Sequence, residues 1–257
     1  MRRWEQFLKE NVGKKAILVE GKYDYDPFAH FFSKKSPDWE RYFVIVAAGN
    51  KRSVLEKLKN NSVAFGIVDR DTWGEKEIKK AGKENSEKLF VLPRYCLENY
   101  IIIPDEIKPV LPADKQDSIN FDTLFANVGK WKAHAALWRA VTSLYSGLIS
   151  LDFNNALLPK TVDTIPSDES IMNKLSEWNK VLNPDETFEK FKKEEEQFLK
   201  MNDIEFVKYH VHGKHFFDNE MLPVLQKKMG NVSKNNLFKY IVPPVELNKI
   251  FDRLIDH

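Results

Sequence analysis

The chain has 257 residues, of which 42% are hydrophobic and 30% charged, enough for one large or two small domains with a buried core. Forty basic and 38 acidic residues leave a net charge of +2, so no strong global attraction to nucleic acid is demanded, although a local basic patch is compatible with it. No apolar run reaches the ~18 residues of a membrane span, and one cysteine, Cys96, excludes a disulfide framework or a cysteine-rich zinc site within one chain. The opening MRRWEQFLKENVGKK lacks an apolar signal core, which makes a cytoplasmic location the expectation.

In chain order, Arg2–Asn11 reads as a short amphipathic helix with Trp4, Phe7 and Leu8 on one side. The apolar run 16–19 reads as a strand and ends in Glu20-Gly21, where glycine permits a sharp bend. A helix starts near Asp26-Pro27, with Asp as cap and Pro in the first turn. Residues 42–46 form a second strand, 51–59 a helix and 63–68 a third strand that stops abruptly at Asp69-Arg70-Asp71. Such a uniformly apolar run suits a strand buried on both faces of a parallel sheet. A charged, partly helical stretch follows to Ser86, then a fourth strand at 89–92 closed by Pro93. Alternating strands and helices predict a parallel α/β sheet with right-handed crossovers.

Beyond Pro109 the period becomes helical. Residues 121–150, 170–182 and 184–201 read as helices, and Trp131, Trp138 and Tyr145, seven apart, read as their core. Residues 204–211 alternate and predict a late strand, followed by helices at 218–228 and 243–255. The domain reading is an α/β core over 1–108, a helical subdomain over 109–202, and a C-terminal strand and helices over 203–257 that pack back on the core.

Parallel sheets place chemistry at the carboxyl ends of their strands. Glu20 ends the first strand and Asp69 and Asp71 the third, with Asp24 four positions beyond Glu20. Carboxylate oxygens are the ligands that magnesium prefers, and such a site can neutralise a phosphate and activate water. Each has a plainer role open to it, since Asp is also a turn and helix-start residue. Asn50, Lys51 and Arg52, at a strand–helix turn, can offer N–H groups and positive charge to a phosphate, or form an ordinary solvated helix start. His134, His210, His212 and His215 do not make a zinc site on this reading, because Gly213 and Lys214 break the strand geometry.

ILVEGKYD followed about 45 residues later by FGIVDRD resembles a TOPRIM domain, with its Glu-Gly turn after one strand and Asp-x-Asp after another. The acidic residue four positions after Glu20 is similar to the pattern in overcoming-lysogenization-defect (OLD) nucleases. The stretch LPRYCLENY resembles the small TOPRIM-like effectors of ATPase-linked anti-phage defence, of the PARIS type. The resemblance covers about residues 14–105. It implies a TOPRIM-like sheet with a mainly helical insertion or C-terminal subdomain, and a magnesium- or manganese-dependent endonuclease acting on RNA, such as tRNA, or on DNA. By the same resemblance Glu20, Asp69 and Asp71 hold metal, Asp24 and Glu98 add carboxylates, Glu20 and Lys214 act in catalysis, and an ABC-type, OLD-like ATPase is the partner. It leaves room for a homodimer and implies no membrane. The alternative reading is a non-catalytic TOPRIM-like module that docks on an ATPase or senses nucleic acid.

Overall fold

The computed structural model describes residues 9–59, 61, 63–85, 87–153, 156–157 and 166–255. The expected helix face of Trp4, Phe7 and Leu8 lies outside them. The chain divides into two compact units, Met1–Phe125 with Val207–His257, and Ala126–Phe206.

The first unit is built on four parallel strands, β1 (Lys15–Val19), β2 (Phe43–Ala47), β3 (Ala64–Val68) and β4 (Leu89–Val91), in the order β2-β1-β3-β4. The crossovers are α1 (Tyr25–Lys35), α2 (Lys51–Lys59) and α3 (Glu75–Glu84). Every residue of β3 is buried, as its unbroken apolar run requires. One sheet face is a core of Ala16, Leu18, Ala64, Val68 and Leu89 against Val54 and Leu58 of α2 and Ala81 of α3. Gly66 makes this packing possible: a Cβ there would lie 2.7 Å from Val54 Cγ1 and 2.8 Å from Leu58 Cδ1. Helix α2 therefore sits directly on the strand that ends at Asp69. An aromatic cluster packs elsewhere in the unit. Phe32 of α1 lies 5.4 Å from the Trp39 ring and 4.5 Å from Phe251 of the C-terminal helix.

Two short helices follow β4, α4 (Pro104–Ile107) and α5 (Ala113–Gln116). The second unit consists of α6 (Val128–Ser150), α7 (Asp168–Val181) and α8 (Pro184–Leu199), in which α6 packs on α8. Of the three aromatic residues read as its core, Trp131 is partly buried and the other two are exposed. Trp138 is 43% and Tyr145 52% exposed, whereas Ala135, Ala136 and Ala140 are buried. A spacing of seven places residues on one helix face without saying which face turns inward; here the small residues do, and they let a neighbouring helix approach.

The expected strand at 204–211 is a helix, α9 (Asp203–Tyr209). Asn202 supplies the reason, because its Oδ1 accepts from the N–H groups of Ile204 and Glu205, the pattern of an N-cap. The first unit is then completed by α10 (Gly213–Phe216), α11 (Leu222–Met229), α12 (Lys234–Tyr240) and α13 (Val245–Ile255), with a π-helical turn at Phe217–Met221. The sequence reading has no counterpart for α12. No helix among the described residues is long and apolar enough to cross a membrane.

Candidate functional site

In the strand order β2-β1-β3-β4, the connections leave β1 and β3 in opposite directions. The gap between their carboxyl ends is thus a topological switch point, where open α/β sheets form a crevice. Glu20 follows β1 and Asp69 follows β3, so the two carboxylates meet there. Asp69 N–H donates to Glu20 Oε1 at 2.9 Å, and Asp69 Oδ1 accepts from Leu97 N–H at 3.1 Å. One hydrogen bond thereby joins the two strand ends, and a second joins them to the LPRYCLENY turn.

The remaining acidic residues gather around this pair. Asp24 folds back from a 3-10 turn, its Oδ2 accepting from Gly21 N–H at 2.6 Å. Asp71 sits in the left-handed region at φ 52°, a conformation that costs energy for a residue with a Cβ but is tolerated by Asp. Its N–H donates to Tyr95 O and its Oδ2 pairs with Lys51 Nζ at 2.6 Å. Glu98 accepts from the buried Cys96 thiol at 3.3 Å and lies 3.9 Å from Lys234 Nζ.

These groups perturb one another. Burial pushes the Glu20 carboxyl up, Lys51 opposes this, and Asp71 and Asp24 add to it. Burial and the charges of Asp71, Glu20, Asp24 and Glu98 push Asp69 well above the ordinary carboxylate value. Asp24 is raised to about 6, chiefly by burial and with a contribution from Glu98, while Gly21 N–H and Lys214 pull it back. All five predicted carboxylates therefore belong to one electrostatic cluster, and Lys214 is close enough to act on Asp24.

The predicted phosphate-binding trio is divided. Lys51 faces the cluster, bridging Asp71 and the face of Trp73 at 4.5 Å. Asn50 caps α2, its Oδ1 accepting from Ser53 N–H at 2.8 Å, and Arg52 pairs with Glu56 at 2.9 Å in an exposed position. Asn50 and Arg52 serve the helix in this arrangement.

Lys214 directly follows a buried contact that joins distant parts of the chain. Asn99 donates from Nδ2 to Val207 O and Val211 O, and accepts on Oδ1 from Cys96 N–H. Gly213 packs against Asn99, and Lys214 follows immediately at the start of α10. The same turn is anchored by Arg94, only 1% exposed, which binds Glu106 and Glu246 and lies over the Tyr100 ring at 4.5 Å.

Sequence reasoning missed Lys234 and considered His212 only as a zinc ligand, which it set aside. Lys234 of α12 reaches Glu98, and His212, whose ring is 4.2 Å from that of His215, is within electrostatic range of Asp71 and Glu98. The signal for His212 is present in HGKH, but a strand at this position gives it the wrong geometry.

The donor set, hard carboxylate oxygens under mutual repulsion, fits a divalent cation. As the side chains stand, no three acidic, histidine or cysteine groups among the described residues enclose a metal ion. Lys51 holds Asp71, and backbone N–H groups hold Glu20 and Asp69. Binding therefore requires side-chain rotation, with Lys51 released from Asp71. Fold and site define a parallel α/β protein with an acidic crevice at its switch point. The chain matches no protein-family model and no curated protein.

Proposed function

We propose that this chain is a TOPRIM-type, divalent-metal-dependent endonuclease that hydrolyses phosphodiester bonds of nucleic acid. The observation that supports this reading most directly is the meeting of Glu20 and Asp69 at the crevice between β1 and β3, joined by the Asp69 N–H to Glu20 Oε1 hydrogen bond, with Asp24, Asp71 and Glu98 within electrostatic range of Asp69. A purely structural role needs no such cluster, because its repulsion disfavours the fold until a cation enters.

Glu20, Asp69 and Asp71 would hold magnesium or manganese, with Asp24 and Glu98 able to hold a second ion. The metal, when bound, supplies charge neutralisation at the phosphate and a more acidic water. By the TOPRIM resemblance Glu20 would serve as a metal ligand or as the general acid/base. Lys214 brings a positive charge beside the cluster for the scissile phosphate. Resemblance to defence effectors extends the proposal to an ABC-type ATPase partner that restrains the nuclease.

The test is cleavage of DNA, tRNA and other RNA with magnesium or manganese, with Glu20→Gln run beside the parent protein. Metal-dependent cutting that the variant lacks supports the reading; equal cutting by both removes Glu20 from it.

A second reading, a non-catalytic TOPRIM-like module, is favoured by one observation: the Lys51–Asp71 ion pair at 2.6 Å already neutralises one carboxylate without a metal. Calorimetric titration with manganese separates the two. Absence of binding together with absence of cutting favours the module.

A further inference from the structure

Glu20 and Asp24 bracket the short 3-10 turn Lys22–Asp24. Asp24 turns back into the crevice and fixes this turn through its bond to Gly21 N–H. Between them, Tyr23 points its ring into solvent at 73% exposure, with Lys22 Nζ 4.8 Å from the ring centroid. The ring adds almost nothing to the core, and the turn needs only its backbone and Asp24. An exposed aromatic face on a rigid turn, paired with a cation and one residue from the acidic cluster, has the two elements of single-strand recognition. The ring stacks on an unpaired base and the ammonium meets the adjoining phosphate.

We propose that Tyr23 and Lys22 form a base-stacking subsite, and that the crevice takes an unpaired segment of polynucleotide rather than a duplex or a free nucleotide. This rests on the endonuclease reading for its substrate but not for its test. A stacked base in a duplex has both faces covered by neighbours, so Tyr23 can engage it only after unpairing. A free mononucleotide lacks the neighbouring phosphates that lysines around the crevice, Lys22, Lys51 and Lys214, can meet.

The experiment is fluorescence binding in EDTA, where no metal-dependent cutting occurs. The probes are single-stranded RNA and DNA oligonucleotides carrying 2-aminopurine, their duplexes, and a mononucleotide. The proteins are the parent chain, Tyr23→Ala, Tyr23→Trp and Lys22→Ala. The parent is expected to bind the single strand more tightly than the duplex and to quench 2-aminopurine. Tyr23→Ala should weaken single-strand binding about 5- to 100-fold and abolish the quench, with duplex binding unchanged, while Tyr23→Trp retains both. Lys22→Ala should weaken binding several-fold and lower its salt dependence. Equal binding of strand and duplex, a mononucleotide bound as tightly as the strand, no binding of any probe, or an unchanged Tyr23→Ala protein each overturns the subsite. Cutting measured separately keeps the two readings apart. Tyr23-dependent binding without cutting under any metal leaves the subsite standing and removes the endonuclease; cutting with an unaltered Tyr23→Ala does the reverse.

Discussion

Asn99 and Gly213 are packed so closely that a side chain at 213 has no room: a Cβ there would lie 2.8 Å from both Cγ and the backbone N of Asn99. Asn99 cannot retreat, because its carboxamide is committed to Cys96, Val207 and Val211. Gly213→Ala is therefore expected to cost about 2 kcal/mol through overpacking. The thermal midpoint should fall by roughly 4–8 °C. Lys214 follows directly, so on the endonuclease reading cutting should fall further than the lost stability explains. A variant with an unchanged midpoint would show that the contact yields.

Lys51 competes with any cation for Asp71. Lys51→Met should tighten manganese binding several-fold, measured by calorimetry. On the endonuclease reading cleavage should weaken, because the same ammonium would then be missing from the phosphate. Tighter binding with faster cleavage would assign Lys51 to restraint alone.

Arg94 is buried between Glu106 and Glu246, and Arg94→Met removes the arginine from Glu246 and leaves Glu106 with Lys208 alone. The expected loss is about 3–5 kcal/mol. It has a pH signature. Burial raises the Glu106 carboxyl, but hydrogen bonds from Arg94 and Lys208 outweigh this and hold it below 4.5. Its contribution is therefore full above that unfolded value and disappears as pH falls through the lower folded one. Acid unfolding of Arg94→Met should lack this part of the slope; a parallel acid limb in both proteins would sink the assignment.

Asp24 works in the opposite sense. Its folded value of about 6 lies above its unfolded value of 3.8, so its protonated form favours the fold and the advantage is lost as pH rises through about 6. In metal-free buffer, Asp24→Asn should raise the thermal midpoint at pH 7.5 and leave it nearly unchanged at pH 3.5. Manganese should stabilise the parent more at pH 7.5 than at pH 5, since ligands must lose protons to bind.

The sheet is legible in the sequence because each strand is an apolar run broken by polar residues, and β3 is wholly buried as such a run demands. The carboxylates at the ends of β1 and β3 are legible for the same reason: strand direction alone sends them to one edge. The site's other half is not. Asn99 meets Val207, Gly213 meets Asn99 and Lys234 approaches Glu98 across more than a hundred residues of chain, and nothing local in LENY or HGKH reveals these contacts. The helix Asp203–Tyr209 reads as a strand because apolar Ile204, Phe206, Tyr209 and Val211 alternate weakly with Glu205, Lys208 and His210, while the Asn202 cap that decides the matter lies just outside that pattern. On the long helix Val128–Ser150, large aromatic residues suggest an interior that three alanines occupy instead.

The unit that contains the crevice is interrupted in sequence by Ala126–Phe206. As the chain leaves the ribosome, the acidic half is made first: the strands, Glu20, Asp69 and Glu98 all precede the interruption. Val207 and Val211, which receive the Asn99 carboxamide, and Lys214 emerge only after it, roughly eighty residues later. Until then Asn99 keeps its bond from Cys96 N–H but lacks its two carbonyl acceptors, and Lys51 is the lysine already paired with Asp71. Residues 207–214 therefore join the earlier-made strands only after the whole of Ala126–Phe206 has been synthesised.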